Sequence, residues 1–198
     1  IENTQEKTAL KVKKSDWPTL LLIAGRKMIT SEGLEVLALC LQEEMQDGRS
    51  LMDTVDLIAQ KGAVPVVPWA AGKWLGRRGQ VVDRLLDAPV DCLYLSDNGN
   101  RPGFWGWPRH FRKAEKRAIR IMSGSDPLPL SSETGRAGRT GFVMQKKVNL
   151  ERPASTICEQ LRDRSTAVYR YGVPETPFRF IRNQMFMQIF KKKRGGIG

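Results

Sequence analysis

A chain of 198 residues that is 40% apolar, with a mean hydropathy of -0.40, has enough hydrophobic material for one sizeable globular core. No window approaches the ~20 uninterrupted apolar residues of a membrane-spanning helix, so no transmembrane segment is expected. The formal net charge is +12 and the pI is near 10.0, so polyanionic partners have to be weighed.

The opening residues, Glu2-Asn3-Thr4-Gln5-Glu6-Lys7, follow Ile1 and not a methionine. They read as a loop or a cut site, so the chain is expected to be a piece of a longer protein, with residues 1–14 as a flexible lead-in. Strands are expected at 19–24 and 34–41. A helix is expected over 51–61, where Ser50 suits an N-cap, Asp53 falls in the first turn and Gly62 supplies the stop. A strand at 64–67 follows, then a helix at 75–86 with Val81, Val82, Leu85 and Leu86 on its apolar side, then a strand at 92–95. The aromatic loop Phe104-Trp105-Gly106-Trp107-Pro108 leads into a helix at 109–118 and a strand at 119–122.

A long loop at 123–139 precedes a strand at 140–148. Pro153 suits the first turn of a helix at 154–164. A last helix spans 177–192, with Phe178, Ile181, Met185, Phe186, Ile189 and Phe190 at helical spacing. That stripe is expected to pack in the core, with a membrane surface or a partner's groove as the alternative. There are no internal repeats, and a single domain over 1–198 is expected, with 150–198 as a helical extension.

Three of the apolar runs, 64–67, 92–95 and 119–122, stop at dense clusters of turn formers. Short apolar runs bounded in this way and separated by helix-length segments predict a parallel α/β sheet or barrel. In such folds the loops leaving the strand ends build the functional site on one rim.

The basic residues gather at Lys73, Arg77 and Arg78, between Arg109 and Arg120, and in the tail Lys191-Lys192-Lys193-Arg194. Residues 112, 113, 116, 117 and 120 recur at helical spacing, which predicts a solvated helix face with Phe111, Ala114, Ala118 and Ile119 turned inward. A general attraction to a polyanion or a membrane surface is the alternative. No pattern of a sequence-specific nucleic-acid module accompanies the charge. Cys40, Cys92 and Cys158 are far apart, in apolar surroundings and without a CxxC partner. They are expected to be buried core thiols, which points to a reducing, cytoplasmic setting.

Five segments bear a resemblance in order and spacing. They are Gly25-Arg26-Lys27-Met28-Ile29-Thr30, Leu34-Glu35-Val36-Leu37-Ala38-Leu39, Gly62-Ala63-Val64-Pro65-Val66-Val67-Pro68-Trp69, the stretch 91–101, and Gly124-Ser125-Asp126. Together they resemble the carboxyl-terminal two-thirds of the polymerase and histidinol phosphatase (PHP) superfamily, over about residues 15–148. The resemblance implies a distorted, TIM-like α/β barrel of parallel strands, incomplete here at its amino end. It also implies metal-dependent phosphoester hydrolysis at the strand-end rim.

The departures from that pattern are informative. Lys27 stands where the family has a carboxylate ligand, Glu35 and Trp69 where it has histidines, and Leu128 where its closing motif ends in histidine; only Asp126 keeps its ligand identity. A cluster of divalent cations needs neutral imidazoles and anionic oxygens. A standard metal cluster is therefore not expected, and a divalent metal at Asp126 is left open as a rebuilt site. The sole histidine, His110, is expected to cap a helix start or pack at the surface there.

The polar groups that remain, Lys73, Asp97, Asn98, Asn100, Arg101, Asp126 and Glu133, suit a pocket for a small anionic or sugar-phosphate ligand. Four of the five tryptophans, Trp69, Trp74, Trp105 and Trp107, lie beside them as stacking faces or as cover for the rim. As an enzyme, the chain is expected to use Asp126 as metal ligand or general base and Asp97 as a second carboxylate. Lys73, Asn98, Asn100, Arg101, Trp69 and Trp74 are then the expected ligand-binding residues. The basic glycine-rich stretch 135–141 lacks a Walker sequence and is expected to be a turn into a strand. The competing expectation is a non-catalytic, metal-free module that docks on a polyanion or a membrane through its basic helix and tail.

Overall fold

A computed structural model describes residues 1–195, with side chains as far as residue 189. Residues 1–14, expected as a flexible lead-in, carry β1 (Glu2–Asn3) and β2 (Ala9–Val12). With β3 (Leu20–Ile23) they form a small antiparallel sheet in the order β1-β2-β3.

The main sheet is built from β4 (Gly25–Ile29), β5 (Glu35–Leu39), β6 (Val64–Pro68), β7 (Tyr94–Asp97) and β8 (Arg120–Ser123), side by side in that order. Helix α1 (Leu51–Gln60) precedes β6, α2 (Gly76–Asp87) joins β6 to β7, and α3 (Arg109–Lys116) joins β7 to β8. The pairs β6–β7 and β7–β8 are parallel, as the run-and-crossover pattern predicts. The pairs β4–β5 and β5–β6 are antiparallel. The expected parallel TIM-like barrel is therefore corrected to an open, mixed five-stranded sheet with β4 and β8 at its edges.

The physical reason lies between β4 and β5. The Thr30 N–H donates to the Leu34 carbonyl at 2.8 Å, and Gly33 takes the left-handed φ of +74° that this tight turn needs. A link that short can only return antiparallel, since a parallel neighbour needs a crossover of a dozen or more residues. Apolar periodicity is the same for either direction.

Helix α1 starts as its sequence predicts. The Ser50 hydroxyl accepts from the Asp53 N–H at 3.1 Å, and Gly62 follows the helix at φ +75°. The alternation of the strands divides the core into two layers. Met28, Val36, Val67 and Leu95 face α1, α2 and α3, where Leu51, Val55, Ile58, Val82, Leu85, Leu86 and Phe111 are buried. Each such side chain contributes roughly 1.5–3 kcal/mol by leaving water. Val64, Val66, Tyr94 and Met122 point the other way, toward Cys158 and Leu161 of α4 (Pro153–Arg162).

On that side of the fold β9 (Gly141–Met144) pairs antiparallel with β10 (Val168–Tyr171), a strand with no counterpart among the sequence expectations. Helix α5 (Pro177–Gly195) follows. Its stripe is not core: Phe178, Ile181, Met185, Phe186 and Ile189 are exposed. The Phe190 side chain lies outside the described residues. Charge sets the rotation of this helix. Glu133, fully buried, lies 3.3 Å from Arg182 and 3.7 Å from Arg179, so these two arginines are drawn inward and the apolar stripe is left outside.

Candidate functional site

Strand direction decides which side chains meet. β6, β7 and β8 end on one edge of the main sheet, and antiparallel β5 begins there. Glu35 at the start of β5, Trp69 after β6, Asn98 after β7 and Asp126 after β8 therefore converge, although they are far apart in sequence. They line one cavity of about 250 Å³ together with Lys73, Asn100 and, from α5, Phe180, Asn183 and Met187.

Within it the Lys73 ammonium donates to Glu35 Oε1 at 2.6 Å. The Asn98 amide donates to Asp126 Oδ2 at 3.3 Å, and the Asn100 amide donates to the Asp126 carbonyl at 3.0 Å. The Asp126 carboxyl is pushed above its ordinary value by partial removal from water, with the charge of Glu35 adding to the push. The Asn98 hydrogen bond and the charge of Lys27 act in the opposite direction. Asp126 also has a left-handed backbone, φ +32°, which is uncommon for a residue with a side chain. Asn98, Asn100, Lys73, Trp69 and Asp126 are thus brought together as the sequence leads one to expect, and Glu35 joins them as the partner of Lys73.

Three expected site residues are placed elsewhere. Arg101 and Asp97 form a buried ion pair, with Arg101 Nε and Nη2 each 2.9 Å from Asp97 Oδ2, and a second bond ties Arg101 to the Gly106 carbonyl at 2.6 Å. Both line a separate cavity of about 140 Å³ with Trp107, Thr140 and Arg170. Trp74 is buried in the core, its ring edge-on to His110 at 5.4 Å and to Phe111 at 5.6 Å. Of the remaining rim tryptophans, Trp69 packs edge-on to Trp105 at 5.6 Å, and Trp107 lies against Phe111 at 4.9 Å with Arg170 over its ring. These contacts are mainly those of a cover over the rim.

Contrary to expectation, His110 is not at the surface. It is buried, its Nε2 is 3.1 Å from the Gly79 carbonyl, and burial holds its pKa below the ordinary value. Among the described residues no group of three or more His, Cys, Asp or Glu is gathered that could hold a metal ion. Around Asp126 the second carboxylate is already paired with an ammonium and a further cation stands nearby, so this donor set does not fit a divalent ion.

Part of the basic face of α3 is paired with α2, while Arg112 and Lys116 are exposed. Arg109 reaches Asp83 at 2.7 Å, while Lys113 and Arg117 reach Asp87 at 2.9 Å and 2.8 Å. In the glycine-rich stretch, Arg136 is held by Glu133 at 2.9 Å and by Glu175 at 2.6 Å, which leaves it to structure and not to an anion. The side chains of Lys191, Lys192, Lys193 and Arg194 lie outside the described residues. Among the described residues no helix is long and apolar enough to cross a membrane.

Sequence reasoning missed the roles of Glu133 and Glu175, whose arginine partners come from 136, 179 and 182. A signal was present in the arginines of the last helix, three residues apart, but only the fold identifies their acids. No protein-family model matches the chain, and no curated protein matches it in sequence.

Proposed function

We propose that this chain is a metal-free binding module that takes a small anionic, hydroxyl-bearing ligand of the sugar-phosphate class at the carboxyl edge of its main sheet. The observation that supports this most is the convergence of Lys73, Asn98, Asn100 and Asp126 on one cavity of about 250 Å³. A lysine ammonium suits a phosphate, and it keeps donors free beyond the one given to Glu35. The two amides and the Asp126 carboxyl offer the mixed donors and acceptors that sugar hydroxyls need. Hydrolysis by paired carboxylates has less support, because Asp97 is bound by Arg101 and lines a different cavity.

The test is calorimetric titration with a panel of pentose and hexose phosphates, alongside assay of phosphate release. Micromolar to millimolar binding that weakens at least tenfold in both Lys73→Ala and Asn98→Ala, without phosphate release, is the expected result. Absence of binding across the panel, or binding indifferent to both substitutions, overturns the proposal.

The exposed apolar stripe of α5 favours a second reading, docking on an anionic membrane surface. The chain continues from this stripe into Lys191-Lys192-Lys193-Arg194, a sequence suited to acidic headgroups. Co-sedimentation with phosphatidylserine vesicles but not with phosphatidylcholine vesicles, lost at high salt and in Ile181→Asp, is its expected signature.

A further inference from the structure

Parallel strands joined by crossover helices gather their helix-to-strand links on one edge of the sheet, just as they gather the strand-to-helix loops on the other. The links that enter β7 and β8 therefore lie side by side, and between them and the end of α4 is a cavity of about 330 Å³. Four arginines line it. Arg117 follows α3, Arg120 opens β8, Arg162 closes α4 and Arg164 stands just beyond it. The only acidic residue in the lining is Asp91. This cavity shares no residue with the one at the carboxyl edge.

Three of these guanidiniums are held in place by neutral groups. Arg120 donates from Nη1 to the Tyr94 hydroxyl at 2.9 Å and from Nη2 to the Asp163 carbonyl at 3.1 Å. The Tyr94 hydroxyl in turn donates to the Leu161 carbonyl at 2.5 Å. Arg164 Nη2 donates to the Asp91 carbonyl at 2.9 Å, and Arg162 Nη1 to the Ala63 carbonyl at 3.2 Å. Such bonds orient a guanidinium without cancelling its charge.

Among the described residues, Arg117 alone of the four is in an ion pair, with Asp87 at 2.8 Å. The other buried or half-buried arginine clusters of the fold meet acids, as Arg101 meets Asp97 and Arg136 meets Glu133 and Glu175. A guanidinium carries five N–H donors. Protein hydrogen bonds engage a single nitrogen of Arg162 and a single nitrogen of Arg164, and both side chains are exposed to the solvent that a ligand would displace.

We propose that this cavity is an anion site for a small ligand bearing two or more linked phosphate groups. Guanidinium forks match phosphate oxygens in pairs, and their bonds to a charged acceptor are among the stronger ones a protein makes. With Arg117 set against Asp87 and one further arginine against Asp91, two positive charges remain, which suits a polyvalent anion better than a single carboxylate. The concave shape favours a compact ligand over the extended backbone of a nucleic acid.

The test is calorimetric titration of the folded chain with sodium pyrophosphate at low ionic strength. One-to-one binding is expected, weakened about tenfold or more in Arg162→Gln and in Arg164→Gln, the worth of a hydrogen bond to a charged group. Arg112→Gln removes the same charge from an exposed position outside the cavity and is expected to leave the affinity within about twofold. Titration of Lys73→Ala keeps this site distinct from the one at the carboxyl edge, and the binding is expected to persist there. Absence of pyrophosphate binding overturns the proposal. So does binding that Arg112→Gln weakens as much as Arg164→Gln, binding that disappears in Lys73→Ala, or affinity confined to a long polyanion such as single-stranded RNA. Because Arg162 and Arg164 are exposed, circular dichroism of the two variants is expected to match the wild type, and the wild-type titration decides the first outcome without them.

Discussion

Arg101 grips Asp97 from four residues away, with Nε and Nη2 both 2.9 Å from a single carboxylate oxygen, Oδ2. The other oxygen, Oδ1, is buried and has no hydrogen-bond partner among the described residues. The planar guanidinium also bonds the Gly106 carbonyl, so this one side chain fixes the end of β7 to the turn before α3.

Arg101→Ala is expected to lower stability by about 3–5 kcal/mol, because it leaves Asp97 charged, buried and alone. Urea denaturation followed by tryptophan fluorescence measures this. A loss under about 1 kcal/mol means that the pair does not hold the loop together.

Asp126 has a raised pKa in the folded protein, so the native state binds a proton more readily than the unfolded chain. Its contribution is most favourable below the ordinary value of 3.8 and is lost as pH rises through the folded pKa. Asp126→Asn keeps a neutral side chain at every pH and tolerates a left-handed backbone better. The variant is expected to gain stability on the wild type as pH rises from 3.8 through the folded pKa of Asp126. Melting temperatures across that range check the sign, and a gap that narrows as pH rises contradicts it.

Glu6 caps α4 from across the chain. Its carboxylate accepts from the Ala154 N–H at 2.7 Å, from the Ser155 N–H at 2.9 Å and from the Ser155 hydroxyl. Burial raises its pKa, but these hydrogen bonds outweigh burial and leave it below the ordinary 4.5. The stabilisation is present above pH 4.5 and is lost as pH falls through the folded pKa. Glu6→Ala is expected to cost about 0.5–2 kcal/mol at pH 7, the range of a lost N-cap, and progressively less in acid. Parallel urea titrations at pH 7 and pH 3 test this, and equal losses at both overturn it.

Much of the local structure is legible in the sequence. Ser50 and Gly62 bound α1 as their residue types require, Pro153 begins α4, and the three runs ending near residues 68, 97 and 123 are parallel strands. The cluster of Lys73, Asn98, Asn100 and Asp126 was legible too, because parallel strands joined by helices must end on one edge. The closure of the sheet was not. Residues 25–29 gave no separate strand signal, and the turn at Gly33 makes β4 an antiparallel neighbour that ends the sheet.

By itself, then, the order of residues determined the helices, the apolar strands and the edge on which the polar loops gather, since these follow from period, caps and connection length. Only the tertiary structure decided partners across space. Asp97 went to Arg101 and away from Asp126, Lys73 to Glu35, and Glu133 to the arginines of α5. Charges pair by distance and by the cost of burial, and a sequence carries neither quantity until the chain has closed on itself.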